Sequence, residues 1–310
     1  MSASPSWLEP IPVPMPATLG SVNVYLIRGP HGLALVDTGM NDLTARRALE
    51  DALAARGAAL GDVDAVLCTH HHPDHCGLAE TLADAGARVV MSADDAASQR
   101  LFVERPETDA RRATFFGRHP VPAEFEARVG AVFPFFRGLS GRFRVARTVA
   151  DGERLELGGV TFEVLVTPGH TRGHVCLLQR DAGLVLTGDH VLAGEVTHVS
   201  MREESIGTDP LGAFLVSIAR IGALGGLAGY PGHGAPIPNL ETRAERLLAH
   251  HRERLRAVEA ALGDAPRSAY DLCVEVMGPR PKVFARWLAM SQTLGYLEHL
   301  ATSRRARAVE

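Results

Sequence analysis

The stretch Thr69-His-His-His-Pro-Asp-His-Cys-Gly77 gathers several side chains that commonly bind metal ions. Because alternate residues of an extended segment point to the same side, His70 and His72 can hold one ion. Asp74 and His75 follow where the chain is expected to turn into a helix, and they can face a second ion. Imidazole and carboxylate ligands suit Zn²⁺, Mn²⁺ or Fe²⁺. The stretch therefore predicts a site for two divalent ions, with zinc favoured and iron or manganese as alternatives.

Three later turns carry further candidate ligands, and each turn follows a strand pattern and contains glycine. They are Thr167-Pro-Gly-His170, Thr187-Gly-Asp189 and Pro231-Gly-His233-Gly234. Glycine lets the backbone approach a site without an intervening side chain, and strand-end loops commonly carry functional groups. A single His or Asp in such a turn is usually structural, and a histidine-rich stretch can be a solvated loop. The recurrence of the pattern favours ligands, so we expect all three turns to join the first stretch.

Short strand patterns alternate with helical patterns along most of the chain. Strands are predicted at 22–28, 33–37, 65–69, 88–91, 161–167, 175–179 and 184–187, and helices at 42–56, 77–85, 210–224 and 239–262. This alternation is typical of an α/β architecture. Two comparable halves predict two packed sheets with helices outside.

Two segments depart from this alternation. Residues 92–147 are rich in proline and phenylalanine and predict a helical insertion, whose aromatic side chains form a local core or, alternatively, a substrate wall. After Gly263 the chain reads as two short helices, with 295–300 as a strand. We therefore expect a domain over 1–263 that contains the insertion, and a small winged-helix-like segment over 264–310.

The composition indicates which classes of binding partner and which cellular compartment to expect. The 310 residues are 46% hydrophobic and carry a net charge of −4, so no basic field points to nucleic acid or to a membrane surface. The C-terminal 264–310 segment has only a small basic excess, a poor footprint for nucleic acid. Prolines interrupt the N-terminus, which lacks a signal-peptide pattern, so a cytoplasmic location is the expectation. The four cysteines are far apart and predict buried, reduced thiols.

The complete set of candidate ligands resembles the metallo-β-lactamase superfamily, and the resemblance covers about residues 20–240, including Leu35-Val-Asp-Thr-Gly39. It implies an αββα sandwich with the site along one edge. It also implies one ion held by His70, His72 and His170, a second held by Asp74, His75 and His233, and Asp189 bridging both. The details resemble the glyoxalase II-like branch. The C-terminal segment resembles the winged-helix part of an endoribonuclease-like subgroup.

These expectations define a dinuclear hydrolase in which a hydroxide bridging the ions attacks a small thioester or ester, with Asp189 and Asp74 as the catalytic carboxylates. Three alternatives stay open. One is phosphodiester cleavage, of RNA in particular, by analogy with the winged-helix subgroup. Another is oxygen chemistry at a single iron, as in persulfide dioxygenases of the same superfamily. The last belongs to another class: a DNA-binding or regulatory module with structural metals.

The histidines beside the motifs are predicted to support the site rather than to bind metal. His71 should point away from its neighbours on the extended stretch. His174 and His190 sit next to motif residues and are expected to be structural or supporting. His198 follows Asp189 in a loop and is a candidate for substrate contact.

Overall fold

The computed structural model describes residues 4–16, 19–104, 119, 121–130, 132–194, 196–201, 205, 207–263, 266–280 and 282–303. Its strands are β1 (Leu8–Pro14), β2 (Ser21–Gly29), β3 (Gly32–Val36), β4 (Val63–Leu67), β5 (Arg88–Ser92), β6 (Arg147–Val149), β7 (Arg154–Leu157), β8 (Val160–Val166), β9 (Val175–Gln179), β10 (Leu184–Gly188) and β11 (Ala228–Pro231). Its α-helices are α1 (Leu43–Ala54), α2 (Pro73–Cys76), α3 (Ala79–Asp84), α4 (Ala93–Glu104), α5 (Ala123–Gly130), α6 (Val132–Gly138), α7 (Pro210–Gly222), α8 (Leu240–Leu262), α9 (Ala269–Met277) and α10 (Val283–Thr302). None of the helices in these ranges has the length and apolar character needed to cross a membrane.

The strands form two sheets, one from each half of the chain. The first has the order β1-β2-β3-β4-β5-β6 and the second the order β11-β10-β9-β8-β7. In the first sheet β3, β4, β5 and β6 run parallel, whereas β1, β2 and β3 form an antiparallel meander. The second sheet is antiparallel except for the parallel pair of β10 and β11.

Three apolar layers hold the sheets and helices together. The middle layer lies between the sheets and includes Val36, Leu67, Phe162 and Leu186. A second layer packs α1 and α3 on the outer face of the first sheet, and a third packs α7 and α8 on the outer face of the second. The order helix–sheet–sheet–helix confirms the predicted αββα sandwich.

The first strand, β1, was not predicted because prolines occupy alternate positions along it. Pro10 and Pro12 are exposed, whereas Ile11 and Val13 are buried in the core. Proline has no backbone N–H to donate. It is therefore tolerated in an edge strand, which has a neighbour on one side only, rather than in an inner strand. The strand pairs only with β2 and forms the edge of the first sheet.

The C-terminal strand predicted at 295–300 is wrong, because these residues belong to the long helix α10. Gly295, the first residue of the predicted strand, lies where α10 crosses another part of the chain closely, and a Cβ on it would be 3.4 Å from the carbonyl oxygen of Val199. Tyr296 and Leu300, four residues apart, are buried together against α7 and α8. The C-terminal segment is therefore helical over its described residues.

The insertion and the C-terminal helices share a fourth apolar cluster. It includes Phe125 and Val129 from α5, Cys273 from α9, and Trp287 and Leu294 from α10. Phe125 and the partly buried Phe102 thus belong to a local core, one of the two roles predicted for the insertion, whereas Phe135 is exposed. Phe115 and Phe116 lie outside the described residues. The four cysteines are free and buried, as predicted.

Candidate metal centre

Both sheets contribute to one site at their shared edge. The stretch from His70 to His75 follows β4, and His170 follows β8. Asp189 comes directly after β10, and His233 lies just beyond β11. All seven predicted ligands come together there in overlapping groups, and the candidate ligand atoms of each group lie within 4.8 Å of one another.

The first cluster consists of three imidazoles. His70 Nε2 lies 3.0 Å from His72 Nδ1 and 3.2 Å from His170 Nε2, and the last two nitrogens are 3.0 Å apart. Zinc–nitrogen bonds of 2.0–2.1 Å in a tetrahedron separate neighbouring ligand atoms by about 3.3 Å. The triangle of nitrogens thus fits a divalent ion that is held by three neutral imidazoles.

The second cluster combines a carboxylate with two imidazoles. Asp74 Oδ2 lies 3.2 Å from His233 Nε2 and 3.6 Å from His75 Nε2. His75 Nε2 is buried and has no hydrogen-bond partner among the described residues. A buried ring nitrogen that faces such a cluster requires a partner for its lone pair. A divalent ion would be such a partner.

Asp189 lies between the two clusters and faces both of them. Its Oδ1 is 3.4 Å from His75 Nε2 and 3.6 Å from His233 Nε2, whereas its Oδ2 is 3.8 Å from His170 Nε2. The Oδ1 atom is buried without a hydrogen-bond partner among the described residues. One carboxylate thus has an oxygen for each cluster.

The charge of the site differs between its two halves. Burial lowers the pKa of His70 well below its ordinary value, and the neighbouring His75 and His72 lower it further. Burial also acts to lower the pKa of His233, but the carboxylates of Asp189 and Asp74 raise it to about 9. The first cluster is therefore neutral, whereas the second combines the carboxylates of Asp74 and Asp189 with imidazoles whose pKa values they raise.

Asp37 orients His75 from the next strand of the first sheet. Its Oδ2 accepts a hydrogen bond from His75 Nδ1 at 2.8 Å, and its Oδ1 accepts bonds from Thr69 N and Thr69 Oγ1 at 2.7 and 2.9 Å. Such a carboxylate keeps the ring proton on Nδ1 and leaves Nε2 unprotonated, so that Nε2 can bind a metal. Asp37 was quoted as part of a motif, but its contact with His75 was not predicted.

Backbone carbonyl groups orient two other rings. His170 Nδ1 donates to the carbonyl oxygen of His198 at 2.7 Å, and His233 Nδ1 donates to that of Ser21 at 2.8 Å. Each bond leaves Nε2 to face its cluster. His198 thus contributes to the site through its backbone, whereas a contact of its side chain with substrate stays a prediction.

A glycine is required at position 232. A Cβ there would lie 2.5 Å from Asp189 Oδ1 and 2.7 Å from His75 Cε1, inside the second cluster. Any side chain would therefore displace a ligand. This close approach is the role that the sequence predicted for the glycine-bearing turns.

The neighbouring histidines lie outside the clusters. His71 Nδ1 bonds to Asp95 Oδ1 at 2.9 Å, and Asp95 also accepts from Thr171 Oγ1 at 2.6 Å. His174 Nε2 accepts from the backbone N–H of Asp189 at 3.2 Å and so supports a site residue. His190 is fully buried, and neither ring nitrogen has a hydrogen-bond partner among the described residues. His71 and His174 thus lie in the supporting positions expected for them, whereas the role of His190 stays a prediction.

Two facing sheets with helices outside, and a His/Asp site that could hold metal at their edge, define a metal-dependent hydrolase of the αββα class. The profile of the metallo-beta-lactamase superfamily matches residues 17–235. The chain therefore belongs to the metallo-β-lactamase superfamily.

Individual relatives agree with this membership. The chain is 29% identical over 303 residues to the probable metallo-hydrolase YqjP of Bacillus subtilis (strain 168), covering 94% of this chain and 91% of that protein. It is 35% identical to a metallo-beta-lactamase family protein of Thermus thermophilus of known crystal structure, with a TM-score of 0.84 over 96% of this chain and 94% of that one. It is also similar to the atrochrysone carboxyl ACP thioesterase of Aspergillus fumigatus, 30% identical over 141 residues that cover 44% of this chain and 42% of that protein.

Proposed function

We propose that the protein is a dinuclear metal-dependent hydrolase of a small thioester or ester. The observation that carries this proposal is the position of Asp189, which has one oxygen toward each cluster. In this assignment His70, His72 and His170 would hold the first ion, Asp74, His75 and His233 would hold the second, and Asp189 would offer a carboxylate oxygen to each. Zinc fits the donor set best, and iron or manganese are the alternatives.

Bound ions of this kind would supply a water of lowered pKa as nucleophile and would polarise the carbonyl group whose carbon is attacked. The protein contributes position and charge. Asp189 and Asp74 place carboxylate oxygens beside the space between the clusters, where they can orient the attacking water and accept its proton. His75 and His233 face these carboxylates through the nitrogens that would bind the second ion.

A thioester suits this arrangement better than an amide does. A thiol has a pKa near 8.5, so a thiolate leaves without needing a strong general acid. The thioesterase among the relatives supports the same substrate class. Against the phosphodiesterase alternative, Arg267 pairs with Glu275 and Arg286 lies over the ring of Tyr270, so these C-terminal cations are engaged within the protein.

The test compares two substrates on one zinc-loaded sample. An acyl-glutathione thioester and bis-p-nitrophenyl phosphate are followed with the wild-type protein, with Asp189→Ala, and with Asp181→Asn as an exposed-acid control. We expect thioester turnover to exceed phosphodiester turnover by orders of magnitude, and only Asp189→Ala to lose it. Dominant phosphodiester turnover would overturn the substrate class and make the C-terminal helices the next target.

A further inference from the structure

A cavity of about 230 Å³ opens beside His170, on the side of the first cluster. Most of its lining comes from three parts of the chain. These are the first turns of α4, the turn from Pro168 to Arg172, and Ser200, Ser205 and the stretch 208–213. His71 also contributes. We call this space the arm cavity. Its volume is below the range of about 300–1,000 Å³ for whole small-molecule sites, so it suits one part of a substrate.

The lining of the arm cavity is rich in hydroxyl groups. The described lining residues that carry a hydroxyl are Ser98, Thr171, Ser200, Ser205 and Thr208. The apolar ones in the same ranges are small, namely Pro168, Pro210 and Ala213. An aliphatic group that enters the cavity would desolvate these hydroxyls without replacing their hydrogen bonds.

The charged groups at the arm cavity do not select one sign of charge. Arg172 and Asp94 are both exposed at its rim. Asp209 already accepts hydrogen bonds from His299 Nδ1 and from the backbone N–H of Gly212, each at 2.7 Å. A group that fits this lining therefore carries hydrogen-bonding atoms without a net charge, such as an amide or a hydroxyl.

Helix α10 fixes one wall of the arm cavity. The backbone N–H of Met201 donates to the carbonyl oxygen of Ser291 at 3.0 Å, and His299 holds Asp209. Gly295 lies between these two contacts, against the backbone of Val199 and Met201. Because they are spaced by four residues, Ser291, Gly295 and His299 share one face of the helix. These contacts anchor the described residues at both ends of this wall.

We propose that the arm cavity binds an uncharged, amide- or hydroxyl-bearing arm of the substrate, while the scissile carbonyl lies at the clusters. This proposal rests on the hydrolase function proposed above. The arm can belong to the thiol side or to the acyl side of the bond, since the lining chemistry is the same for both. Ser98 is a specificity-determining residue in this assignment, because it presents its hydroxyl from a regular helix.

The test uses three thioesters of matched length. One is purely alkyl on both sides, one has an amide in the thiol arm (acetyl-N-acetylcysteamine), and one has an amide in the acyl arm (an N-acetylglycyl alkyl thioester). We expect one amide-bearing substrate to exceed the alkyl one by about tenfold in kcat/KM, because its amide gains one or two hydrogen bonds in the cavity. The favoured substrate tells which side of the bond enters the arm cavity.

Two leucine substitutions on α4 provide the matched variants. Ser98→Leu fills the arm cavity with an apolar group, whereas Ala97→Leu places the same group on the exposed side of the helix. We expect Ser98→Leu to raise KM for the amide-bearing substrate with little change in kcat, and Ala97→Leu to resemble the wild type. Equal use of all three thioesters, or a preference that survives Ser98→Leu, would overturn this proposal alone. A lack of turnover of all three would overturn the hydrolase proposal as well.

Discussion

The substitution Asp37→Asn tests how the second cluster is prepared for a metal. Asparagine keeps the shape of the side chain, and it tolerates the left-handed backbone of this residue, whose φ is 64°. It has only one acceptor oxygen, whereas Asp37 accepts from Thr69 on Oδ1 and from His75 on Oδ2. If the amide oxygen faces Thr69, the amide N–H groups oppose the Nδ1–H of His75. The ring must then carry its proton on Nε2, which blocks the metal-binding lone pair.

The opposite amide orientation is also costly. It places N–H groups against the backbone N–H of Thr69, and a buried donor without a partner costs about 1–3 kcal/mol. We therefore expect the amide oxygen to face Thr69 and the proton of the His75 ring to move to Nε2. Removing such a supporting partner typically lowers metal affinity 10- to 100-fold, which is about 1.4–2.7 kcal/mol. We expect this loss for the second ion only, because the ligand that Asp37 orients belongs to the second cluster.

The assay is a zinc titration against a chromophoric chelator, which resolves the two affinities. Asp95→Asn is the matched control, since Asp95 is a buried carboxylate bonded to His71, a histidine outside the clusters. We expect the control to keep both affinities within about threefold, well short of the loss that follows removal of a ligand's partner. Two ions bound by Asp37→Asn with wild-type affinities would refute this account of His75.

Three further predictions follow from other contacts. Asp189→Ala should retain the wild-type circular dichroism spectrum but lose most turnover; an active variant would exclude a bridging role. Gly295→Ala should be tolerated, because its Cβ would make only a 3.4 Å contact, whereas the branched Gly295→Val should displace the 198–201 segment and lower activity; equal activities would contradict this packing. Burial lowers the pKa of His251 to about 3, so its ring stays neutral when folded, while the unfolded chain takes up a proton below about pH 6.5. Urea titrations should therefore show the wild type losing roughly 1 kcal/mol more stability than His251→Gln from pH 6.5 to 5.5, and parallel losses would argue against a neutral buried ring.

The ligand set could be predicted from sequence because the donors are concentrated in short motifs. The segment from His70 to His75 is unusual on its own, and the three glycine-bearing turns end strands that the alternating pattern identifies. Strand ends of a packed sandwich meet at one edge, so the donors had to converge. The sandwich itself followed from the alternation of strands and helices.

Other features depend on contacts between distant segments, which no local pattern reveals. The bond from His75 to Asp37 requires β3 to lie beside β4. The helix through Gly295 is favoured by its close contact with residues 199–201, whereas isolated propensity indicates a break. The arm cavity combines three separate parts of the chain. The boundary proposed between 263 and 264 also stays a prediction, although α9 and α10 share apolar clusters with the rest of the protein.

The contribution of both sheets to one centre has a mechanical consequence. His70 and His170 are 100 positions apart in the chain, and their ring nitrogens are 3.2 Å apart. An ion between them would act as a reversible cross-link, and closing a loop of this length lowers the entropy of the unfolded chain by an amount worth about 4–5 kcal/mol. Metal supply would then control the lifetime of the protein as well as its turnover. Without metal, the protein would open between its two sheets and become accessible to proteases there.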